Sequence, residues 1–197
     1  AAIDAAVDGD TITVAPGRYE GSINYRGKDV VVRSTSGPAV TIIAADLGKR
    51  PVVTFSGEET SGAVLQGFTI QGFFGGTGSL KSAVVIGTGG APVIRDNLFL
   101  ENTRCGAIAA SSADPVIRDN VFMGNGSFYC GGGIGGVTTR GGTIEGNTFF
   151  GNRGHSIRTR SGVVTRNVLV YNFTAPGGAT GDLVGGGTVI DNLLVQE

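Results

Sequence analysis

An eleven-residue unit that returns along the chain limits its fold more than any other feature. Pro92 to Asn102 (PVIRDNLFLEN) comes back as Pro115 to Asn125 (PVIRDNVFMGN) and as Gly142 to Asn152 (GTIEGNTFFGN). Weaker copies run from Gly162 to Asn172 and from Gly187 to Glu197. The first asparagines, Asn97, Asn120, Asn147, Asn167 and Asn192, are therefore 23, 27, 20 and 25 residues apart. A helical repeat tolerates such an elastic period poorly, whereas a coil of short strands absorbs it in loops on one side. Within each copy a Val-Ile pair, a polar turn and a Phe or Leu are bounded by Gly, Asn and Asp, which is strand composition.

Stacked coils give each repeated position a partner at the strand spacing of about 4.8 Å. Ile94, Ile117, Ile144, Val164 and Val189 are expected in one aliphatic row, and Phe99, Phe122, Phe149, Leu169 and Leu194 in a second. Asparagine tolerates left-handed backbone angles, and its amide can bond the coils above and below. Asn97, Asn120, Asn147, Asn167 and Asn192 are thus expected to form a structural ladder at one bend. A third strand around Ile108, Ile134 and Ile157 completes each coil.

Upstream, Val64 to Ile70 fits the same template with Phe68 in the asparagine place, and earlier strands fall near Thr11–Ala15, Val30–Arg33, Val40–Ile43 and Val52–Phe55. The expectation is one all-β domain over residues 1–197, a parallel solenoid of about seven coils with three strands each. Residues 1–9 have apolar side chains at helical spacing and end at Gly9, so a short helix should cap the open end of the core. The sequence stops at Gln196-Glu197 inside a repeat copy, which reads as an uncapped end: a truncated longer protein, or an end covered by another subunit through end-to-end self-association.

Gly is 36 of 197 residues, but there is no G-X-Y period and 40% of the chain is hydrophobic, which argues against collagen and disorder and makes the glycines turns. Lys+Arg 15 against Asp+Glu 16 removes any broad electrostatic case for nucleic acid or an anionic membrane. No apolar run approaches the roughly 20 residues of a spanning helix. Cys105 and Cys130, with His155 as the single histidine, fit no common zinc spacing. They lie three residues before Ile108 and four before Ile134, at the same corner of consecutive coils, where a rung spacing of about 4.8 Å permits a disulfide. A bridge is the expectation, with two buried thiols as the alternative.

The opening AIDAAVDGDTITVAPGRY and the Ile-x-x-Asn-x-Phe-x-x-Asn repeats resemble the right-handed parallel β-helix proteins of the pectin-lyase-like superfamily, over nearly the whole chain. The resemblance implies the fold and, with the cysteines, an extracellular or periplasmic location. It leaves activity open, because the superfamily includes polysaccharide lyases, hydrolases, esterases, epimerases and adhesins. A lyase of this kind needs clustered carboxylates for Ca²⁺ beside an Arg or Lys base, and no such set is readable here. Asp96 and Asp119 recur beside the ladder, where turn formation explains them. The hydrolase pattern Asn-Thr-Asp, Asp-Asp, Gly-His-Gly, Arg-Ile-Lys is absent as a set, and Gly154 to Arg158 resembles only its third part.

The candidate site is basic. Strand alternation puts Ile157 inward with Ile134 and Ile108, Ser156 and Arg158 outward, and Arg153 and His155 in the preceding loop. Arg160 follows, and Asp182 is the nearby carboxylate of the next coil. Guanidinium groups suit carboxylates or sulfates on an acidic glycan, while a solvated strand face is the plain alternative. Phe73, Phe74, Phe128, Tyr129 and Tyr171 fall at coil edges where rings stack on sugars or anchor loops. The expected function is an extracellular scaffold or binding protein for acidic polysaccharide, with a carbohydrate-active enzyme and a self-assembling structural solenoid as alternatives. No cofactor is expected, and Ca²⁺ enters only with the lyase reading.

Overall fold

The computed structural model describes residues 2–45, 51–72, 82–103, 106–127, 134–173 and 183–195. These residues form short strands in three parallel sheets and one helical turn, α1 (Ala2–Ala5). Strands of one sheet are never consecutive in the chain; each pairs with the strand one coil earlier and one coil later. The chain therefore winds as a parallel β-helix. The first and second sheets have eight strands and the third has seven, which makes seven complete coils and a two-strand eighth.

In the fourth coil the first sheet contributes Val93–Arg95, the second Leu98–Leu100 and the third Ile108–Ala110. Their central positions carry the core. Ile94 pairs in register with Ile117, then Ile144, Val164 and Val189. Phe99 likewise leads to Phe122, Phe149, Leu169 and Leu194. The phenyl rings stack at 4.7 and 4.5 Å with interplanar angles of 6° and 4°. Parallel pairing without offset brings like side chains together, and each fully buried ring contributes about 1.5–3 kcal/mol of burial free energy.

The first and second sheets join through a two-residue bend, and its geometry differs from the expectation above. The left-handed residue is the one before the asparagine: Asp96 (φ 58°), Asp119 (56°), Arg166 (55°) and Asp191 (53°). The asparagine itself takes ordinary angles and turns its amide along the stack. Asp relieves the left-handed strain through local hydrogen bonding, which explains its recurrence at 96, 119 and 191.

Asn97 donates both its backbone N–H (3.0 Å) and its Nδ2 (3.1 Å) to Asn120 Oδ1. The same pair of bonds joins Asn120 to Asn147, Asn147 to Asn167 and Asn167 to Asn192. At the top of the column, Phe68 N–H donates to Asn97 Oδ1. A second ladder, Asn102, Asn125, Asn152 and Asn172, runs along the far edge of the second sheet with the same paired donation. The two columns clamp that sheet on both sides.

At the N-terminal end α1 is a single turn. Ile3 packs on the core, Ala6 is buried, and Lys28 Nζ donates to the carbonyls of Ile3, Asp4 and Ala6, the groups a short helix leaves unpaired. Nearby, Glu59 is buried between the second and third coils. Its carboxylate accepts the backbone N–H groups of Ser56, Gly57 and Gly27 and the Ser56 hydroxyl. Burial alone would raise its carboxyl, but the backbone donors outweigh that and hold it below its ordinary value. Tyr25, buried beside Phe55, has its hydroxyl pushed well up by desolvation and by Glu59, and donates to the Val64 carbonyl at 2.7 Å.

Candidate functional site

The third sheet departs from the simple repeat at one place. Ile134 pairs with His155, but Val137 pairs with Ile157, so the fifth coil carries one extra residue. The bulge puts Val137 in the register assigned to Ile134: Val84, Ile108, Val137 and Ile157 pair in one row and are buried. Gly135 and Gly136 form the bulge because nothing larger fits. A Cβ on Gly136 would lie 2.6 Å from Cε1 of Phe149 and would overlap the Ser156 carbonyl; one on Gly135 would lie 2.8 Å from Asn152 Cβ.

Two site residues are less accessible than expected. Ser156, beside the inward Ile157 and opposite the bulge, is fully buried. His155 opens the strand His155–Thr159 rather than lying in a loop, and is also buried. Arg153 is exposed at an isolated bridge to Phe173, apart from the groove described next. Asp182, Cys105 and Cys130, with Phe73, Phe74, Phe128 and Tyr129, lie outside the described residues.

Beyond the bulge, alternation is restored. Arg158 projects outward, Thr159 is buried and Arg160 projects outward at the bend toward the first sheet. They line a groove of about 670 Å³ that crosses four coils through Ser111, Thr138, Arg140, Arg158, Arg160 and Gly185. Four coils at about 4.8 Å per rung make it roughly 15 Å long, parallel to the solenoid axis. Arg158 sits in register with Thr138, and the Ser161 N–H donates to the Arg140 carbonyl, so Arg140 and Arg160 belong to adjacent rungs.

The threonine hydroxyls beneath the groove are buried. Thr139 Oγ1 donates to Thr159 Oγ1 at 3.1 Å, and that oxygen accepts the Gly162 N–H. Thr138 Oγ1 is buried with no hydrogen-bond partner. On the seventh coil the wall is backbone: a Cβ on Gly185 would overlap the Thr159 carbonyl, and one on Gly186 would lie 2.8 Å from the Arg160 carbonyl oxygen. Glycine lets this coil approach without filling the groove.

Most other arginines of the described residues are neutralised. Arg26 pairs with Asp4, Arg95 with Asp96, Arg118 with Asp119 and Arg166 with Glu145. Arg140, Arg158 and Arg160 have no acidic partner among the described residues, and no Asp or Glu lines the groove there. Three guanidinium groups within two rungs make a cationic patch on a chain whose formal net charge is -1. No group of three His, Cys, Asp or Glu suited to a metal occurs among the described residues.

The repeat also marks Arg140. Thr139-Arg140-Gly141-Gly142 and Thr159-Arg160-Ser161-Gly162 precede successive first-sheet strands at the same distance, which extends the repeat backward into the groove. Gly185-Gly186-Gly187 occupies the corresponding place one coil later.

The coil geometry, the ladders and the groove are those of a parallel β-helix, and the family comparison agrees. The chain belongs to the right-handed β-helix family: the model described as "Right handed beta helix region" matches residues 54–195. This is consistent with the pectin-lyase-like resemblance of the sequence. Searches among curated proteins and among solved structures return no match. No helix of the described residues is long and apolar enough to cross a membrane.

Proposed function

We propose that this β-helix is a scaffold that binds acidic polysaccharide along the third-sheet groove, and that it does so outside the cytoplasm. The observation that carries the reading is the set of three guanidinium groups, Arg140, Arg158 and Arg160, held without acidic partners among the described residues. Planar guanidinium forks bind carboxylate or sulfate with two parallel hydrogen bonds, and hydroxyls and backbone beside them suit the neutral groups of a sugar. An extended oligosaccharide lying parallel to the axis meets serine hydroxyls on the fourth coil, the arginines on the fifth and sixth, and glycine backbone on the seventh. A hydrolase would need a carboxylate pair about 5–9.5 Å apart, and the described lining supplies guanidinium and hydroxyl groups instead. Binding is therefore preferred to turnover. The extracellular placement rests on the superfamily resemblance and on the expected cysteine pairing.

Calorimetric titration with carboxylated and sulfated oligosaccharides, and with a neutral one as control, tests the reading. Arg158→Ala and Arg160→Ala should each weaken acidic-ligand affinity about tenfold or more, since hydrogen bonds to charged groups contribute about 1.5–3 kcal/mol. Unchanged affinity in both variants, or equal binding of the neutral oligosaccharide, would refute it. Release of unsaturated or reducing ends during the titration would favour the enzyme reading.

A further inference from the structure

The outward positions of the second sheet carry a pattern that neither the groove nor the core uses. Along coils four to eight, the residue before each inward position is Leu98, Val121, Thr148, Val168 or Leu193, and the residue after it is Leu100, Met123, Phe150, Val170 or Val195. A sheet face turned to water ordinarily alternates apolar-in with polar-out. Here none of the ten outward residues is charged and Thr148 alone is polar, with Val121, Met123 and Phe150 exposed by 38, 36 and 44%. Polar residues take these positions in the first coil, Arg18 and Glu20, and in the third, Thr69 and Gln71, while the second carries Ile42 and Ala44. Charged residues, Asp96, Asp119, Arg166 and Asp191, border it along the first bend. An apolar stripe with a charged rim has the anatomy of a protein interface.

We propose that this face joins two copies of the chain side by side, with their solenoid axes parallel. Side-chain size selects a second copy as the occupant. The first column is largest at its ends, Leu98 and Leu193, and smallest at Thr148 in the middle, so it forms a shallow trough. The second column is largest at Phe150, with Leu100 and Met123 of similar size on one side and the smaller Val170 on the other, so it forms a ridge. A two-fold axis parallel to the solenoid axis lays the ridge of each copy in the trough of the other. Phe150 then meets the partner copy at Thr148, and Met123 meets it at Val121. A two-fold axis along the strands would set Phe150 against Phe150 and leave a void between the two threonines, so self-complementarity singles out the parallel arrangement. Nine apolar side chains and Thr148, with their flanking bends, approach the 20–30 residues a side of a standard interface.

Sedimentation equilibrium of the full chain decides the matter. The wild-type protein should be a dimer, and Phe150→Asp should raise its dissociation constant about 30-fold or more, as expected for a central aromatic anchor. Thr148→Phe should also weaken the dimer, because it fills the trough that receives the partner copy's Phe150. Non-specific apolar adhesion would instead be strengthened by that added ring. Thr148→Phe leaves the core untouched, so it decides alone should Phe150→Asp not fold. A monomer at the highest soluble concentration, a tighter dimer with Thr148→Phe, or end-to-end polymers indifferent to both substitutions would overturn the proposal.

Discussion

Replacing Asn120 with Ala removes the middle of the first asparagine ladder. Its Oδ1 accepts from the Asn97 backbone N–H and from Asn97 Nδ2. Its Nδ2 donates to the carbonyls of Ile94 and Arg118 and to Asn147 Oδ1. The backbone donation to Asn147 survives the substitution, but the Asn97 amide protons lose their acceptor in a bend that is 1–2% exposed at both residues. One or two buried polar groups left without partners, at about 1–3 kcal/mol each, predict a loss of about 1–6 kcal/mol. Asn192→Ala supplies the comparison. It accepts the same two donations, but its site is partly exposed and water can replace the amide, so its loss should stay near 1 kcal/mol. Urea unfolding followed by circular dichroism measures both, with equal slopes required before the midpoints are compared. Equal losses for the two variants would refute burial as the source of the ladder's strength.

Three further outcomes are expected. Asp119→Val should cost about 1–2 kcal/mol in the same assay, because a β-branched residue resists the φ of 56° at that bend, whereas Asp119→Asn should be nearly neutral. The folded Glu59 carboxyl titrates below its ordinary value of 4.5, so the unfolded chain takes up its proton first as pH falls. The Glu59 contribution is thus fully present above that value and is lost through the folded pKa beneath it, and the stability gap between wild type and Glu59→Gln, followed by thermal unfolding across pH 7 to 3, should close on the acid side. Peptide mapping of non-reduced, alkylated protein should recover Cys105 and Cys130 joined, and free alkylated peptides would remove the bridge together with the argument it lends to an oxidising compartment.

The stacked architecture was legible because each rung repeats the chemistry of its neighbour. Ile94 and Ile117, or Phe99 and Phe122, occupy the same place in copies of one motif, and parallel pairing in register turns that likeness into contact. What escaped depends on geometry between rungs. Ile134 has the composition of a core residue, but the Gly135–Gly136 bulge gives its register to Val137, and the burial of Ser156 is not readable from alternation. The left-handed turn position belongs to the residue before each asparagine, a distinction that asparagine's own tolerance of such angles conceals. The second ladder was visible as a recurring Asn, yet its role appears only when the amides are seen to align along the axis. Arg158 and Arg160 were readable from alternation. Arg140 needed the knowledge that its turn lies one rung away, and the apolar outer face of the second sheet needed the inward register of the phenylalanines.

Arginine side-chain Nε–Hε resonances, recorded while an acidic oligosaccharide is added, address the proposed site most directly. Arg140, Arg158 and Arg160 should shift together and exchange more slowly with water at saturation, while the ion-paired Arg95 and Arg118 on the first sheet remain in place. Perturbation of Arg95 and Arg118 with the three groove arginines unmoved, or no perturbation at saturating ligand, would contradict an arginine groove built to hold an acidic chain.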